Sequence, residues 1–234
     1  MKEPNHYDCL IIDDEQLLAD STCEFFNMFD VKTAAVYDSG QARIFLRENE
    51  VSLILLDINL GSGSGFELCK TIRETSDIPI LFVSARNADD DKLIALNIGG
   101  DDYIEKPYSL GVLLAKVKVT LKRYGRTAGA SAQEEKEYVN GNLRIDRINK
   151  CVYLNGEVRK LTSMEFALLD YLSRNPGRLI TKQELFDNVW KDKFTSDGTL
   201  NVHIRHLREA VEEDPKDPKR ITTVWKEGYR WQEL

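Results

Sequence analysis

The stretch Val51–Asn59, VSLILLDIN, predicts the centre of the fold. Its apolar run ends in a carboxylate, Asp57, and a loop of small residues, Gly61–Gly65, follows shortly after. A short apolar run bounded by turn residues is typical of a strand covered on both faces, as in a parallel sheet. Because the loop is too small to cover a side chain, we expect Asp57 to be exposed at the carboxyl edge of the sheet, where open α/β folds place their chemistry.

The rest of the first half repeats this alternation of apolar runs and amphipathic segments. Strands are predicted at Tyr7–Ile12, Lys32–Val36, Ile78–Val83 and Tyr103–Lys106, and helices after Glu15 and at Ser39–Glu48, Phe66–Ser76, Asp89–Asn97 and Ser109–Tyr124. The apolar side of the first helix is expected to hold Leu17, Leu18, Cys23, Phe25 and Phe26. Five strands alternating with five helices predict an α/β fold, a doubly wound, flavodoxin-like parallel sheet.

Polar side chains collect at one edge of this predicted sheet. Right-handed crossovers bring the carboxyl ends of all strands together, and those ends carry Asp13, Asp14, Asp57, Ser84 and Lys106. Carboxylates so close repel one another unless a cation lies among them, and an all-oxygen cluster suits Mg²⁺. Asp57 is then a candidate nucleophile for an acyl phosphate, with Lys106 and Ser84 binding phosphoryl oxygens.

These residues, at this spacing, resemble a response-regulator receiver domain over Tyr7–Arg123. The resemblance implies phosphotransfer from a histidine kinase to Asp57. It also implies Mg²⁺ held by Asp14, Asp57 and the Asn59 carbonyl, with Asp13 acting partly through water. A cis Lys106–Pro107 peptide and an aromatic switch, Tyr103, that moves with Ser84 are further expectations.

The second half predicts a different, α+β domain. Alternating segments lead to the two-residue hairpin turn Asn155-Gly156, and Thr162 with Glu165 forms a capping box that opens a helix. Further helices are predicted at Lys182–Trp190 and from about Asp197 to Glu213, followed by two strands turned at Lys226–Gly228. The predicted boundaries are a domain at 5–124, a flexible linker at 125–137 and a second domain at 138–234.

The segments LTSMEFALLDYLSRNPGRLIT, NVHIRHLREAV and TVWKEGYRW resemble the winged-helix DNA-binding domain of OmpR/PhoB response regulators. The resemblance implies a recognition helix in the major groove of promoter DNA with direct repeats, and a hairpin wing in the adjacent minor groove. Trp225 stands where many members have the wing arginine, so Lys226 is expected to take over that contact. The DNA-contacting residues are then Thr199, Asn201, Val202, Arg205, His206, Arg208 and Lys226.

The same resemblance implies that the phosphorylated receiver forms a homodimer. Its intermolecular ion pairs map to Asp102 with Lys116 and Asp101 with Arg123, whereas Lys92 faces Val112 where an acid normally stands. The apolar patch of Ile94, Leu113 and Val112 is therefore expected to carry much of the association.

Charge and composition fit a two-part regulator. Residues 1–125 carry 13 basic and 21 acidic side chains and residues 126–234 carry 19 and 18, so the net charges are −8 and +1. The four cysteines form no C-x-x-C pair and are expected to be reduced. No signal peptide or membrane-spanning run is recognised, which predicts a cytoplasmic protein with no membrane partner.

Two alternatives to a kinase-controlled transcription factor share some of these sequence features. The first is a DNA-binding regulator that does not use phosphorylation, which is disfavoured because every phosphorylation-site position is filled. The second is an enzyme of the haloacid-dehalogenase type, which needs an Asp two residues after the nucleophile, where this chain has Asn59. We therefore expect a regulator and not an enzyme, with RNA polymerase as an additional candidate partner.

Overall fold

The computed structural model describes residues 4–61, 63–86, 89–124, 136–191 and 195–234, without the side chains of Asp89, Arg123 and Tyr124. The chain divides into two compact units, Met1–Arg126 and Thr127–Leu234. Residues 125–135 of the predicted linker lie outside the described residues. Across the described residues, every helix is too short or too polar to traverse a lipid bilayer.

The first unit is built on a five-stranded parallel sheet with the order β3-β2-β5-β8-β9. Its strands are β2 (Cys9–Ile12), β3 (Thr33–Val36), β5 (Ile54–Leu56), β8 (Ile80–Ser84) and β9 (Asp102–Glu105). The helices between them are α1 (Gln16–Met28), α2 (Ser39–Glu48), α3 (Gly65–Arg73), α4 (Asp89–Asn97) and α5 (Leu110–Tyr124). The doubly wound α/β fold predicted from the alternating pattern is confirmed.

Two short strand pairs lie outside this sheet. β1 (Asn5–Tyr7) pairs in parallel with β4 (Asn49–Val51), and β6 (Asn59–Leu60) pairs with β7 (Gly63–Ser64). The central strand is therefore shorter than the stretch that predicted it, because Val51 pairs with Tyr7 and not with a strand of the main sheet. The β6–β7 pair lies in the loop that follows Asp57 and joins its two ends through backbone pairing.

Both faces of the sheet are covered by helices, as the apolar runs predict. α2, α3 and α4 pack on one face through Ala42, Leu68, Ile72 and Ala95. α1 and α5 pack on the other face through Ala19, Phe26, Leu113, Leu114 and Val117. The prediction that Leu17 faces the core is wrong, since this side chain is 89% exposed. It lies two residues before the buried Ala19, and residues two apart on a helix do not share a face.

The second unit opens with a four-stranded antiparallel sheet, β10 (Glu137–Asn140), β11 (Leu143–Asp146), β12 (Cys151–Leu154) and β13 (Glu157–Arg159). The Asn155-Gly156 turn between β12 and β13 has φ values of 54° and 80°, the left-handed conformations that a two-residue hairpin requires. The first strand begins at Glu137, one residue before the predicted start of the domain.

Three helical segments and a second sheet complete this unit. α6 (Ser163–Ser173) begins at the predicted capping box, with Thr162 and Glu165 each accepting from the other's backbone N–H. α7 (Lys182–Leu185) continues as one π-helical turn, Phe186–Trp190, and α8 spans Asp197–Val211. β14 (Leu179–Thr181), β15 (Ile221–Val224) and β16 (Gly228–Trp231) form a sheet of order β14-β16-β15. The β15–β16 hairpin is the wing.

Candidate functional site

Three charged groups that are distant in the chain meet at the carboxyl ends of β2, β5 and β9. The Lys106 Nζ lies 2.7 Å from Asp13 Oδ2, 2.7 Å from Asp57 Oδ2 and 2.8 Å from Glu15 Oε1. The expectation that Asp57 is exposed is wrong, since only 5% of it is accessible. Its Oδ2 accepts from the nearly buried Lys106 side chain, and its Oδ1 accepts from the Asn59 backbone N–H.

The electrostatics of this cluster keep Lys106 charged. Burial favours the neutral amine, but the hydrogen bonds that Lys106 donates to Asp13, Asp57 and Glu15 outweigh it and raise the pKa of Lys106. Burial raises the pKa of Asp13, and its hydrogen bond with Lys106 counteracts part of that rise. The ammonium therefore offsets repulsion between the two buried carboxylates.

The oxygen atoms at this edge fit a hard cation. Carboxylate oxygens of Asp13, Asp14 and Asp57 all lie within 4.8 Å of one another, and Asp14 is exposed beside the two buried acids. The Asn59 backbone N–H donates to Asp57 Oδ1 over 3.0 Å, which orients that carboxylate. A donor set made of oxygen only, open to solvent on one side, is the kind that Mg²⁺ prefers.

Ser84 and Tyr103 lie beside the cluster on neighbouring strands. Ser84 ends β8 and is buried, and Tyr103 is half-buried on β9. The Tyr103 hydroxyl donates to the Arg86 carbonyl oxygen. Burial raises the pKa of Tyr103, and a hydrogen bond with Ser84 opposes that rise. The Lys106–Pro107 peptide is cis, as the resemblance implied.

Two residues of this site were missed by the sequence analysis, Glu15 and Arg86. Arg86 Nη2 donates to Asn59 Oδ1 over 2.9 Å, and its Nη1 lies 3.4 Å from Asp91 on α4. Arg86 therefore links the loop after Asp57 to α4. The position of Glu15 directly after Asp13-Asp14 was a signal for its role, whereas nothing local indicated the contacts of Arg86.

On the recognition helix α8, the structure exposes some predicted DNA-contacting residues and buries others. Asn201 and Arg205 are exposed, and Asn201 Oδ1 accepts from the Tyr229 hydroxyl over 2.9 Å. The prediction that Thr199 and Val202 face DNA is contradicted, because both side chains are buried. They lie on the side of α8 that packs into the domain, which also carries the buried side chains of Leu200, Ile204, Leu207 and Val211.

The Arg208 side chain on α8 forms hydrogen bonds with the first strand of the wing. The Arg208 guanidinium donates to the Ile221 carbonyl oxygen (Nη2, 2.7 Å) and to Thr223 Oγ1 (2.8 Å), so it holds α8 against β15. Burial lowers its pKa. At the tip of the wing, Lys226 is exposed with a φ of 63°, and the neighbouring Trp225 is 81% exposed. The Lys226 side chain is thus exposed to solvent, whereas Arg208 is engaged within the domain.

Behind α8 lies a cluster that the sequence analysis did not recognise. His206 Nδ1 is 2.7 Å from Glu165 Oε1, and the buried His203 Nδ1 is 3.8 Å from the same oxygen. Burial favours the neutral acid, but hydrogen bonds with both histidines and with the Thr162 amide lower the pKa of Glu165. Glu165 therefore caps α6 and anchors α8, and the predicted contact of His206 with DNA competes with that role.

Both aspartates predicted to form ionic contacts across the receiver dimer are paired inside the chain, Asp102 with its predicted partner and Asp101 with a different one. Lys116 Nζ lies 2.7 Å from Asp102 Oδ2, with both side chains buried. Asp101 is buried and pairs with Arg73 of α3, whose Nη2 lies 2.8 Å away. These contacts contradict the prediction that Asp101 and Asp102 pair with a second copy. The predicted partner of Asp101, the Arg123 side chain, lies outside the described residues.

The predicted apolar patch is only partly exposed. Ile94 on α4 and Val112 on α5 are 44% and 39% exposed, but Leu113 is buried, which corrects its assignment to the patch. Leu93, next to Ile94, is exposed and was not predicted. Lys92 Nζ lies 2.5 Å from Glu105 Oε1 of the same chain. Exposed apolar side chains on α4 and α5 therefore remain, without the predicted inter-chain ion pairs.

Comparison with known proteins assigns each of the two units to a protein family. Residues 9–118 match the family described as "Response regulator receiver domain", and residues 156–231 match "Transcriptional regulatory protein, C terminal". The sensory transduction protein RegX3 of Mycolicibacterium smegmatis is 36% identical over 222 residues, which cover 94% of this chain and 97% of RegX3. The regulatory protein VanR of Enterococcus faecium is 35% identical, with 94% and 96% covered.

A solved structure with the same two-domain organisation supports this family assignment. DrrB, an OmpR/PhoB homologue from Thermotoga maritima, is 28% identical, with a TM-score of 0.50 and coverage of 97% of this chain and 99% of DrrB. Two compact units, one with a carboxylate cluster at the edge of a parallel sheet and one with a winged helix, define a response regulator. The chain belongs to the OmpR/PhoB family of such regulators. It is a phosphorylation-dependent transcriptional regulator of a two-component system.

Proposed function

We propose that Asp57 is the residue that accepts the phosphoryl group, with a sensor histidine kinase as the donor. The observation that carries this proposal is the Lys106 ammonium, 2.7 Å from both Asp13 and Asp57 at the carboxyl ends of three strands. Of the three clustered aspartates, Asp57 alone follows the central strand. Its Oδ1 accepts from the Asn59 amide and its Oδ2 from Lys106, so Oδ2 becomes the attacking atom when the ammonium moves away.

The chemistry is an in-line displacement. Asp57 Oδ2 attacks the phosphorus of phosphohistidine, an O–P bond forms as the P–N bond breaks, and the imidazole nitrogen keeps the electron pair. Lys106 must leave Asp57 Oδ2 and move to a phosphoryl oxygen, since the same ammonium cannot cover both. The Ser84 hydroxyl, on the adjacent strand, is placed to donate to a second phosphoryl oxygen once its contact with Tyr103 changes.

Asp13, Asp14, Asp57 and the Asn59 carbonyl are the residues that would hold Mg²⁺. The ion would supply positive charge for the phosphoryl oxygens during transfer. The clustered carboxylates support this assignment because their mutual repulsion calls for a cation besides Lys106.

The test is phosphorylation of the full chain with a small phosphodonor and Mg²⁺, followed by intact mass. The wild type should gain one phosphoryl group, and Asp57→Asn should gain none. Asp30→Asn is the matched control, because Asp30 is exposed and has a left-handed φ of 59° that asparagine tolerates. Labelling of Asp57→Asn at the wild-type level would refute the assignment.

We further propose that α8 and the wing bind direct-repeat promoter DNA through Asn201, Arg205 and Lys226. Arg205 is exposed and can pair in a bidentate manner with guanine, whereas Lys226 at the wing tip suits a phosphate. Arg205→Ala should weaken operator binding by about 1–3 kcal/mol and change random-sequence binding less. Lys226→Ala should reduce both equally and lower the salt dependence, and Lys216→Ala serves as an exposed control.

Homodimerisation on phosphorylation is proposed through the exposed apolar side chains of α4 and α5. The adjacent exposed side chains Leu93 and Ile94, together with the exposed Val112 on α5, support this, since exposed apolar patches mark interaction surfaces. Ile94→Glu should weaken association of the phosphorylated protein in sedimentation experiments, and Met28→Glu on α1, also exposed, should not. Because the carboxylates of the predicted ion pairs are engaged within the chain, association should vary little with salt; collapse at high salt would contradict this account.

Promoter binding inside the cell places the proposed site of action in the cytoplasm. Recruitment of RNA polymerase by the second unit is the remaining partner proposal, and it follows from the family assignment and not from a surface of this chain.

A further inference from the structure

A cavity of about 620 Å³ opens between α2 and α3 in the receiver unit. Its lining includes residues that precede three strands of the main sheet, so it lies at the amino edge of that sheet. The carboxylate cluster lies at the opposite, carboxyl edge, and none of its residues lines the cavity. The size falls in the range of small-molecule sites in proteins, about 300–1,000 Å³.

The floor of the cavity is apolar. Leu68 and Ile72 of α3 are buried beneath it, and Leu46, Val51 and Ile78 are half-buried along its sides. Val51 is held there by the β1–β4 pair, which is separate from the main sheet. A ligand that filled this floor would need an apolar body to gain from removing its surface from water.

The charged side chains at the rim of the cavity sum to a net positive charge, although the receiver unit as a whole is acidic. Among the lining residues, Arg43, Arg47 and Glu50 carry charge, so two positive charges less one negative charge leave +1. Residues 1–125, in contrast, sum to −8 from 13 basic and 21 acidic side chains. Arg47 is loosely paired, with Nη2 3.8 Å from Glu48 Oε1, and in the described part of the chain no carboxylate pairs with Arg43.

We propose that this cavity binds a small amphipathic carboxylate, with its apolar body on the Leu68–Ile72 floor and its carboxylate at Arg43. An apolar ligand alone would leave the arginine rim unused, and a small hydrophilic anion would leave the floor uncovered. An arginine fork matches the two oxygens of a carboxylate, which favours this anion over a cation or a neutral alcohol. The proposal does not depend on Asp57 or on the phosphorylation mechanism.

The experiment uses the full chain and isothermal titration with octanoate, kept below its micellar concentration. Acetate tests the need for the apolar body, and octan-1-ol and octylammonium test the need for the negative charge. Octanoate should bind saturably with one site, and the other three probes should bind at least about tenfold more weakly. No saturable octanoate binding, or equal binding of octan-1-ol, would overturn the proposal.

Variants locate the binding site. Arg43→Glu should weaken octanoate binding about tenfold and improve octylammonium binding, since the rim charge is reversed. Lys122→Glu is the matched charge reversal on α5, on the other face of the sheet, and should leave binding unchanged. Thr71→Phe should fill the cavity and abolish binding.

Each variant must still accept one phosphoryl group, which shows that its receiver is folded. Octanoate binding that survives both Arg43→Glu and Thr71→Phe would place the ligand elsewhere and refute the site. A failure of Asp57 phosphorylation in the wild type would count against the proposed function and leave the binding result independent of it.

Discussion

Replacement of Glu165 should destabilise the winged-helix unit far more than replacement of other glutamates on its surface. Glu165 is buried, and its two carboxylate oxygens have separate tasks: Oε2 accepts from the Thr162 amide over 2.8 Å, and Oε1 lies 2.7 Å from His206 Nδ1. Loss of the helix-capping bond costs about 1 kcal/mol, and loss of a hydrogen bond to a charged group costs about 2 kcal/mol. Glu165→Ala should therefore lower the free energy of unfolding by about 3 kcal/mol.

Glu165→Gln separates the two contributions. The amide oxygen can still accept from the Thr162 N–H, so the cap is kept while the charge is lost. A loss of about 1–2 kcal/mol is expected, between the wild type and Glu165→Ala. For a unit of this size, 3 kcal/mol corresponds to a fall in Tm of roughly 10–20 °C.

Urea unfolding followed by tryptophan fluorescence measures this unit selectively, because all three tryptophans, Trp190, Trp225 and Trp231, lie in it. Glu209→Gln is the matched control: its partner, Arg205, is 3.6 Å away and both side chains are mostly exposed. That change should cost less than about 0.5 kcal/mol. If Glu165→Gln and Glu209→Gln had the same small effect, the anchoring role of the buried carboxylate would be wrong.

Three further predictions concern the pH dependence of the Glu165 contacts, the buried Asp102–Lys116 pair and the exposed Trp225. The pKa of Glu165 is lower in the folded state than in the unfolded state. The stabilisation from its carboxylate is therefore complete above the unfolded-state pKa of about 4.3 and is lost as the pH falls below that value. The difference in stability between the wild type and Glu165→Gln should accordingly shrink in acid denaturation experiments. Asp102→Leu should destabilise the receiver by about 3 kcal/mol, and adding Lys116→Met should recover most of that loss, as followed by circular dichroism; no recovery would mean that the 2.7 Å pair is not the cause. Trp225 is the exposed tryptophan, so operator DNA should protect its fluorescence from iodide quenching, and unchanged quenching in the complex would exclude contact between the wing tip and DNA.

Features encoded within a few residues could be predicted from the sequence. The Asn155-Gly156 turn adopts the left-handed conformations that its residue types favour, and the capping box at Thr162 and Glu165 opens α6 where predicted. The bounds of α2, Ser39–Glu48, and of α4, Asp89–Asn97, are those predicted. Capping and helical periodicity depend on neighbours one to four residues away, so they can be read without the fold.

The predicted meeting of Asp13, Asp57 and Lys106 at one edge needed one further rule, the handedness of the crossovers between parallel strands. That rule places backbone ends but not side chains. Asp57 is contacted by the ammonium of Lys106, 49 residues further along, and the residues around Asp57 gave no indication of its burial. The chemistry at the site was therefore predictable, and its accessibility was not.

Other contacts were decided only by tertiary packing. The resemblance assigns Asp101 and Asp102 to the interface of a receiver dimer. In the structure both are buried in ion pairs with Arg73 and Lys116 of the same chain. Thr199 and Val202 lie on a helix whose buried side is wider than the stripe formed by Leu200, Ile204, Leu207 and Val211, so their position on the helix did not reveal their burial. The physical reason is common to these cases: local sequence determines which residues share a face, whereas the partner that a long side chain meets depends on segments brought close only when the whole domain has folded.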